Sequence, residues 1–304
     1  MMTLLKRVIL MSEKKYRIGG QAVIEGVMMR SKHFWAVAVR KPDNTISTKL
    51  FKESSLSSKN KFLGFIFIRG MVAIFESLLL GFRALNYSVN EGTEEDIKFS
   101  KKDMVISVSI AVVFTVGIFF VLPTLIGKTF SGFFPSSIVY NLLEGLVRIG
   151  LFLIYILLIS QLKDIKRVFQ YHGSEHKTIQ AYESNEELKP ENIKKYSTLH
   201  VRCGTNFLII VMIVSIFVFA LLGRQTILWR ILSRIILIPV IAGISYEFIR
   251  LAGRFGDNKI VRVFFYPGLF LQKITTREPD ESQIEVAVAS FKKVLEAEKS
   301  FKAG

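Results

Sequence analysis

After residue 100 the chain alternates long apolar runs with short polar breaks, and this pattern sets most of the predicted architecture. Residues 104–127 and 203–223 contain no charged side chain. At about 1.5 Å of rise per residue, each is long enough to cross a hydrocarbon layer of roughly 30 Å. Four spans are predicted, at 104–126, 137–160, 203–223 and 226–251. The second holds Glu144 and Arg148 one turn apart, where they can pair inside the membrane. The fourth carries Arg230 and Arg234 near its start and Glu247 and Arg250 near its end. Glu247 reads either as a partner for Arg250 or as a functional acid.

Two other apolar segments do not fit a simple span. Residues 62–89 read as a long helix, with Arg69, Glu76 and Arg83 seven apart on one stripe. A lipid-exposed helix would not carry that stripe, so the segment is expected to lie in the interface or pack on the bundle. Residues 260–274 are apolar but short, and Pro267-Gly268 is expected to break them into an interfacial or re-entrant piece. Residues 281–302 place Ile284, Val288, Phe291 and Leu295 on one face of a polar helix.

Residues 18–51 look like a small β unit. Phe34–Val39 is strand-like, Lys41-Pro42-Asp43-Asn44 is a turn, and Ile46–Phe51 returns. Before them lies the glycine-punctuated stretch Gly19–Arg30, with Glu25 at its centre. Residues 52–60 read as a Ser- and Lys-rich linker. The organisation is therefore 1–60, N-terminal β unit and linker; 61–103, interfacial helix and polar loop; and 104–160, first transmembrane pair. There follow 161–202, a cytoplasmic histidine-containing loop; 203–251, second pair; and 252–304, re-entrant segment and C-terminal helix. The fold class is a mainly α-helical membrane protein with about four transmembrane helices, interfacial helices and a small cytoplasmic β unit.

Charge orients this arrangement. Residues 1–61 hold 13 Lys and Arg, residues 161–202 hold 8 and residues 252–304 hold 9, whereas Lys128 and Arg224 stand alone in the other two connections. Four spans with both termini in the cytoplasm satisfy every count. A net charge of +16 then reads as cytoplasmic flanks facing anionic lipid, and no nucleic-acid partner is expected. The single cysteine, Cys203, rules out an internal disulfide. The apolar start, Met1–Met11, is interrupted by Lys6 and Arg7 and is too short for a signal-peptide core.

The candidate chemistry sits in and around 161–202. Tyr171-His-Gly-Ser-Glu-His-Lys-Thr178 contains H-x-x-E-H, the inverted zincin string. His172 and His176 share a helix face and suit Zn²⁺ or another divalent transition metal. Glu175 beside them can act as general base on a metal-bound water. A third ligand would come from His200, Cys203 or Glu183. The alternative is a solvated, partly helical loop whose histidines bond nearby carboxylates. Thr205 and Asn206 can cap the third span, with Arg202 at the headgroups. Cys203 as a nucleophile has no assignable base. Glu25 is a second candidate acid, because a carboxylate amid apolar residues needs a partner, either a metal or a base such as Arg30. The glycines at 19, 20 and 26 form no nucleotide fingerprint.

Three strings in order, Ile18–Arg30, Tyr171–Thr178 and Arg202–Phe207, resemble the YqhQ-like family. This is a bacterial membrane family carried under a domain-of-unknown-function label, whose members are often described as candidate metal-dependent enzymes. The resemblance runs from about residue 16 to residue 277 and implies an inner-membrane location. The family pattern usually has proline after the histidine matching His200; Val201 stands there in this chain and changes the local backbone. Two functions follow. One is a cytoplasm-facing metal-dependent hydrolase using His172, His176 and His200 or Cys203 as ligands, with Glu175 or Glu25 handling protons. The other is a non-enzymatic accessory to a membrane machine such as protein translocation or envelope assembly. It would dock a membrane-protein partner through the β unit, the basic loop and the C-terminal helix. A transporter is disfavoured by the lack of an inverted repeat and by the small number of spans.

Overall fold

A computed structural model describes residues 16–52, 61–66, 68–92, 101–133, 136–200, 203–223, 225–252 and 259–303. The apolar start at 1–11, the linker at 53–60, and Val201, Arg202 and Arg224 lie outside the described residues. The chain is mostly helical, with a four-stranded antiparallel sheet near its N-terminus.

The sheet is a meander of β1 (Gly19–Val23), β2 (Gly26–Arg30), β3 (Phe34–Arg40) and β4 (Ile46–Lys52). The expected hairpin at Phe34–Phe51 is present, and its turn is closed by Lys41 N–H donating to Thr45 O at 2.9 Å. Asp43 accepts from Thr45 N–H at 2.9 Å, the Asx device that suits such a turn. The Gly19–Arg30 stretch forms a second hairpin, with Val23 opposite Gly26 and Glu25 in the turn at φ 50°.

Both faces of β2 and β3 are covered, so these strands lack a polar side. On one face Val27, Met29, Ala36 and Ala38 pack against α10 (Glu281–Ala303) and α5 (Lys163–Glu183). On the other, Met28, Trp35, Val37 and Val39 meet Leu80 and Ala84 of α1 (Ile68–Gly92). The apolar face of the C-terminal helix is therefore packed against the sheet. Ile284 and Phe291 are fully buried, each worth roughly 1.5–3 kcal/mol of transfer free energy. Its Ser290 hydroxyl donates to Ala36 O at 3.0 Å.

Residues 161–202 are not a solvated loop. Helix α5 takes up half of them, starts with Asp164 in its first turn, and ends where Asn185 turns to φ 59°. Its C-terminus is closed by Glu186 N–H to Ala181 O at 2.9 Å.

The apolar helices are α2 (Lys101–Val116), α3 (Leu122–Thr129), α4 (Ser137–Ile159), α6 (Gly204–Ala220), α7 (Ile227–Ile236), α8 (Ile238–Ala252) and α9 (Lys259–Thr275). A π-helical turn, Gly117–Val121, joins α2 to α3, and together they make the continuous apolar stretch Val105–Thr129. That stretch and α4 are long and apolar enough to cross a membrane. A third candidate span is the pair α7–α8, which bends by 44° where a single span was expected. Helix α6 is apolar but only 17 residues long. Helix α9 continues through Pro267 rather than breaking there.

Helix α1 joins the sheet to these helices. At its start Arg69 forks onto Glu247 of α8 at 2.7 and 2.6 Å, so Glu247 pairs with Arg69 rather than with Arg250 as expected. Glu76, seven residues on, faces Arg30 of β2 at 4.0 Å. Arg69 and Glu76 of the charged stripe thus turn toward other elements, while Arg83 is exposed.

Candidate metal centre

Helix α5 carries His172 and His176 one turn apart, with ring centroids 4.4 Å from each other. Cys203 is the N-cap of α6 at φ −69°, ψ 144°, a geometry that projects its sulfur over the start of that helix. His172 Nε2 lies 3.2 Å from Cys203 Sγ. The ligand atoms of His172, His176 and Cys203 all fall within 4.8 Å of one another. Tetrahedral zinc with two nitrogens and one sulfur needs separations of about 3.3–3.6 Å, given its usual bond lengths. A small side-chain adjustment closes the set.

The backbone fixes which ring nitrogen faces inward. His172 Nδ1 is 2.8 Å from Thr275 O, and His176 Nδ1 is 2.5 Å from Thr198 O. A carbonyl only accepts, so each Nδ1 carries the proton and each Nε2 presents its lone pair. This is how metal-bound histidines are normally oriented. His176 Nε2 is buried and has no hydrogen-bond partner among the described residues. Burial, and then the neighbouring His172, hold His176 well below its ordinary pKa, so it stays neutral as a ligand must. Thr205 steadies the sulfur with its N–H at 3.4 Å and its Oγ1 at 3.2 Å.

The two carbonyls come from chain segments drawn across α5. Arg277 N–H donates to Phe169 O at 2.9 Å, which lays the end of α9 over the helix. The crossing is possible because residue 173 is glycine: a Cβ there would meet Arg277 O at 2.1 Å. Gln272, fully buried on α9, accepts from His200 N–H at 2.8 Å and donates to His200 O at 2.9 Å and Asn206 Oδ1 at 3.2 Å. This amide holds the approach to Cys203 in place.

The other predicted site residues are placed differently. The His200 ring is 5.6 Å from that of His176, but its Nε2 faces Glu183 Oε2 at 3.6 Å, outside the three-ligand cluster. Burial lowers its pKa to about 4. Glu175 lies at the cluster's edge, where it feels His172 and Cys203 and accepts from Gly20 N–H. Burial, chiefly, pushes its carboxyl up to about 8. Glu25 is not brought to the cluster. Arg167 of α5 grips it through Nε at 2.5 Å and through Nη2, and Tyr171 OH donates to it at 3.3 Å. Its partner is thus Arg167 rather than Arg30, and this pair fastens the first hairpin to α5.

Sequence reasoning missed Gly173, Gln272, Arg167 and the carbonyls of Thr198 and Thr275. Gly173 alone left a visible trace, as a glycine inside a helical histidine pair. The family described as "Protein of unknown function (DUF1385)" matches residues 65–297. The "Uncharacterized protein YqhQ" of Bacillus subtilis (strain 168) is 35% identical over 294 residues, covering 92% of each chain. No solved structure matches. The chain belongs to the DUF1385 family.

Proposed function

We propose that this protein is a multi-pass protein of the bacterial inner membrane whose His172, His176 and Cys203 hold a Zn²⁺ ion. Two neutral imidazoles and a thiolate, its proton released when the ion binds, are the donor set that zinc favours. The observation that carries the reading is the buried, unpartnered Nε2 of His176, aimed at Cys203 and His172 with its Nδ1 anchored behind it. Without an ion, burying that lone pair costs about 1–3 kcal/mol.

The membrane reading rests on packing as well as hydropathy. The sheet, α5 and α10 form one body, so the chain must cross an even number of times between each of them. Paired crossings by the 105–129 stretch with α4, and by α6 with α7–α8, meet that condition. The body then lies on the side of the Lys- and Arg-rich segments, which is the cytoplasm. The metal centre sits at its mouth, where α6 begins, and α9 packs against α6 and α4.

Three protein ligands leave zinc a fourth position for water, the arrangement of hydrolytic sites. Bound there, zinc would supply an activated water. Glu175, at the edge of the cluster, is placed to exchange a proton with that water or with a leaving group. A staple role is the second reading, favoured by the burial of His176 and Cys203. Metal content of the purified full chain tests both. About one equivalent of zinc is expected, lost in His176→Ala and in Cys203→Ser. No bound metal in the wild type after exposure to zinc would end both readings. Glu175→Gln separates them: a hydrolase keeps its metal and loses turnover, a staple loses nothing.

A further inference from the structure

A second cluster lies at the opposite end of the helices. Along α6 the chain runs 16 residues from Cys203 to Phe219, roughly 24 Å at helical rise. Around Phe219 the three guanidiniums of Arg148, Arg230 and Arg234 are buried, at 5%, 8% and 1% exposure, with one carboxylate, Glu144.

The partners of this cluster do not balance it. Glu144 Oε1 accepts from Arg148 Nη2 at 3.0 Å and from Arg234 Nε at 3.1 Å. Arg234 Nη2 also donates to Asn141 Oδ1 at 3.0 Å, and Arg148 Nε to Phe119 O in the π-helical turn at 2.8 Å. Both guanidiniums lie over the Phe219 ring, at 5.1 and 4.6 Å. Arg230 stacks on Tyr140 at 4.2 Å, and no ion pair joins it to an acid among the described residues. Its Nε is buried without a hydrogen-bond partner among them. Arginine does not lose its proton here, so the cluster carries an excess of two positive charges among apolar helices. Uncompensated, each such ion costs several kcal/mol.

The geometry points to a binding site for a phosphate anion, held by Arg230 and Arg234 between α7 and α4. A planar guanidinium with an idle Nε fits phosphate through paired N–H donors. A negative charge at this point would neutralise part of the excess and satisfy the orphaned donor. Arg230 is the least buried of the three and lies one turn into α7, which makes it the entry-side group. The phosphate can be that of a lipid headgroup or a free ion. This inference does not depend on the metal centre.

The test uses the full chain in a phosphate-free maltoside detergent, alone, with added phosphatidylglycerol, or with inorganic phosphate in the buffer. The readouts are the thermal midpoint and lipid retained in native mass spectrometry. One probe is expected to raise the midpoint and the other not, which identifies the source. Arg230→Gln keeps every bond to Glu144 and removes an uncompensated charge, so its midpoint in detergent alone should be no lower than that of the wild type. Its apparent affinity for the active probe should fall at least tenfold, or about 1.4 kcal/mol. If Arg230→Gln does not fold, Arg230→Lys keeps the charge and loses the fork, and the same loss is expected. No response to either probe in the wild type overturns the proposal. So does a response that survives intact in the folded Arg230 variant.

Discussion

Gly173→Ala tests how the metal centre is built without touching a ligand. In an ordinary helix interior this change stabilises by roughly 1 kcal/mol, because alanine is the better helix former. Here the new Cβ meets Arg277 O at 2.1 Å, against the 3.0 Å below which real contacts essentially never fall. The backbone of 275–277 must therefore withdraw by at least 0.9 Å, the difference of those two distances. Carried to Thr275, that shift lengthens the 2.8 Å contact with His172 Nδ1 to about 3.7 Å, past hydrogen-bond range. The Arg277 N–H to Phe169 O bond opens as well. Two bonds at about 1 kcal/mol each, plus overpacking strain of about 1–3 kcal/mol, outweigh the propensity gain. A net destabilisation of roughly 2–4 kcal/mol is expected, read as a lower thermal midpoint in detergent. Zinc affinity should fall about 10–100-fold, as it does when a histidine ligand loses its outer partner. A variant as stable as the wild type, with unchanged zinc affinity, would refute this account of how His172 is held.

Two further perturbations probe the supports around it. Gln272→Leu removes three hydrogen bonds, from His200 N–H and to His200 O and Asn206 Oδ1, each worth about 1 kcal/mol; chemical unfolding within about 0.5 kcal/mol of the wild type would sink this reading. Glu298 concerns pH: burial raises its carboxyl, but bonds from Ser31 Oγ at 2.6 Å and His33 outweigh it and hold the pKa below its ordinary value. A depressed carboxyl contributes stability above the unfolded value, about 4.3 for glutamate, and loses it as pH falls through the folded one. Glu298→Gln should therefore flatten the acid limb of the stability curve, and parallel limbs in wild type and variant would count against it.

Which contacts the sequence revealed depended on their separation along the chain. The hairpin at Phe34–Phe51 was visible because Pro42, Asp43 and Asn44 announce its turn, and Asn44 takes the expected positive φ, 65°. The first hairpin turns at Glu25 instead, a residue with no turn signature, and its strand β2 is covered on both faces. Glu144 and Arg148 pair as expected since four residues on a helix bring them together. Glu25–Arg167 and Arg69–Glu247 span 142 and 178 residues, and each was assigned a nearer basic or acidic partner on proximity alone. The length and burial of helix α5 escaped notice for a related reason. Its buried surface is polar, with Ser174, Glu175, His176, Lys177 and Thr178 all inside, so no apolar stripe marks it.

The metal centre shows why donor spacing alone could not rank its own candidates. His172 and His176 follow from helical periodicity, but His200 and Cys203 stood level as the third ligand. What separates them is the backbone: Cys203 opens α6 and so turns its sulfur toward His172, while Gln272 clasps both backbone groups of His200 and leaves its ring toward Glu183. The Nδ1 acceptors are carbonyls, which every residue type carries. No choice of side chain at 198 or 275 could have advertised them. The requirement shows only where a carbonyl must come close enough to exclude a methyl group, and that is Gly173. A glycine between two helical histidines costs helix propensity. Its presence in a donor string is therefore a signal that another chain segment crosses there, and that the string belongs to a packed site rather than to a solvated helix face.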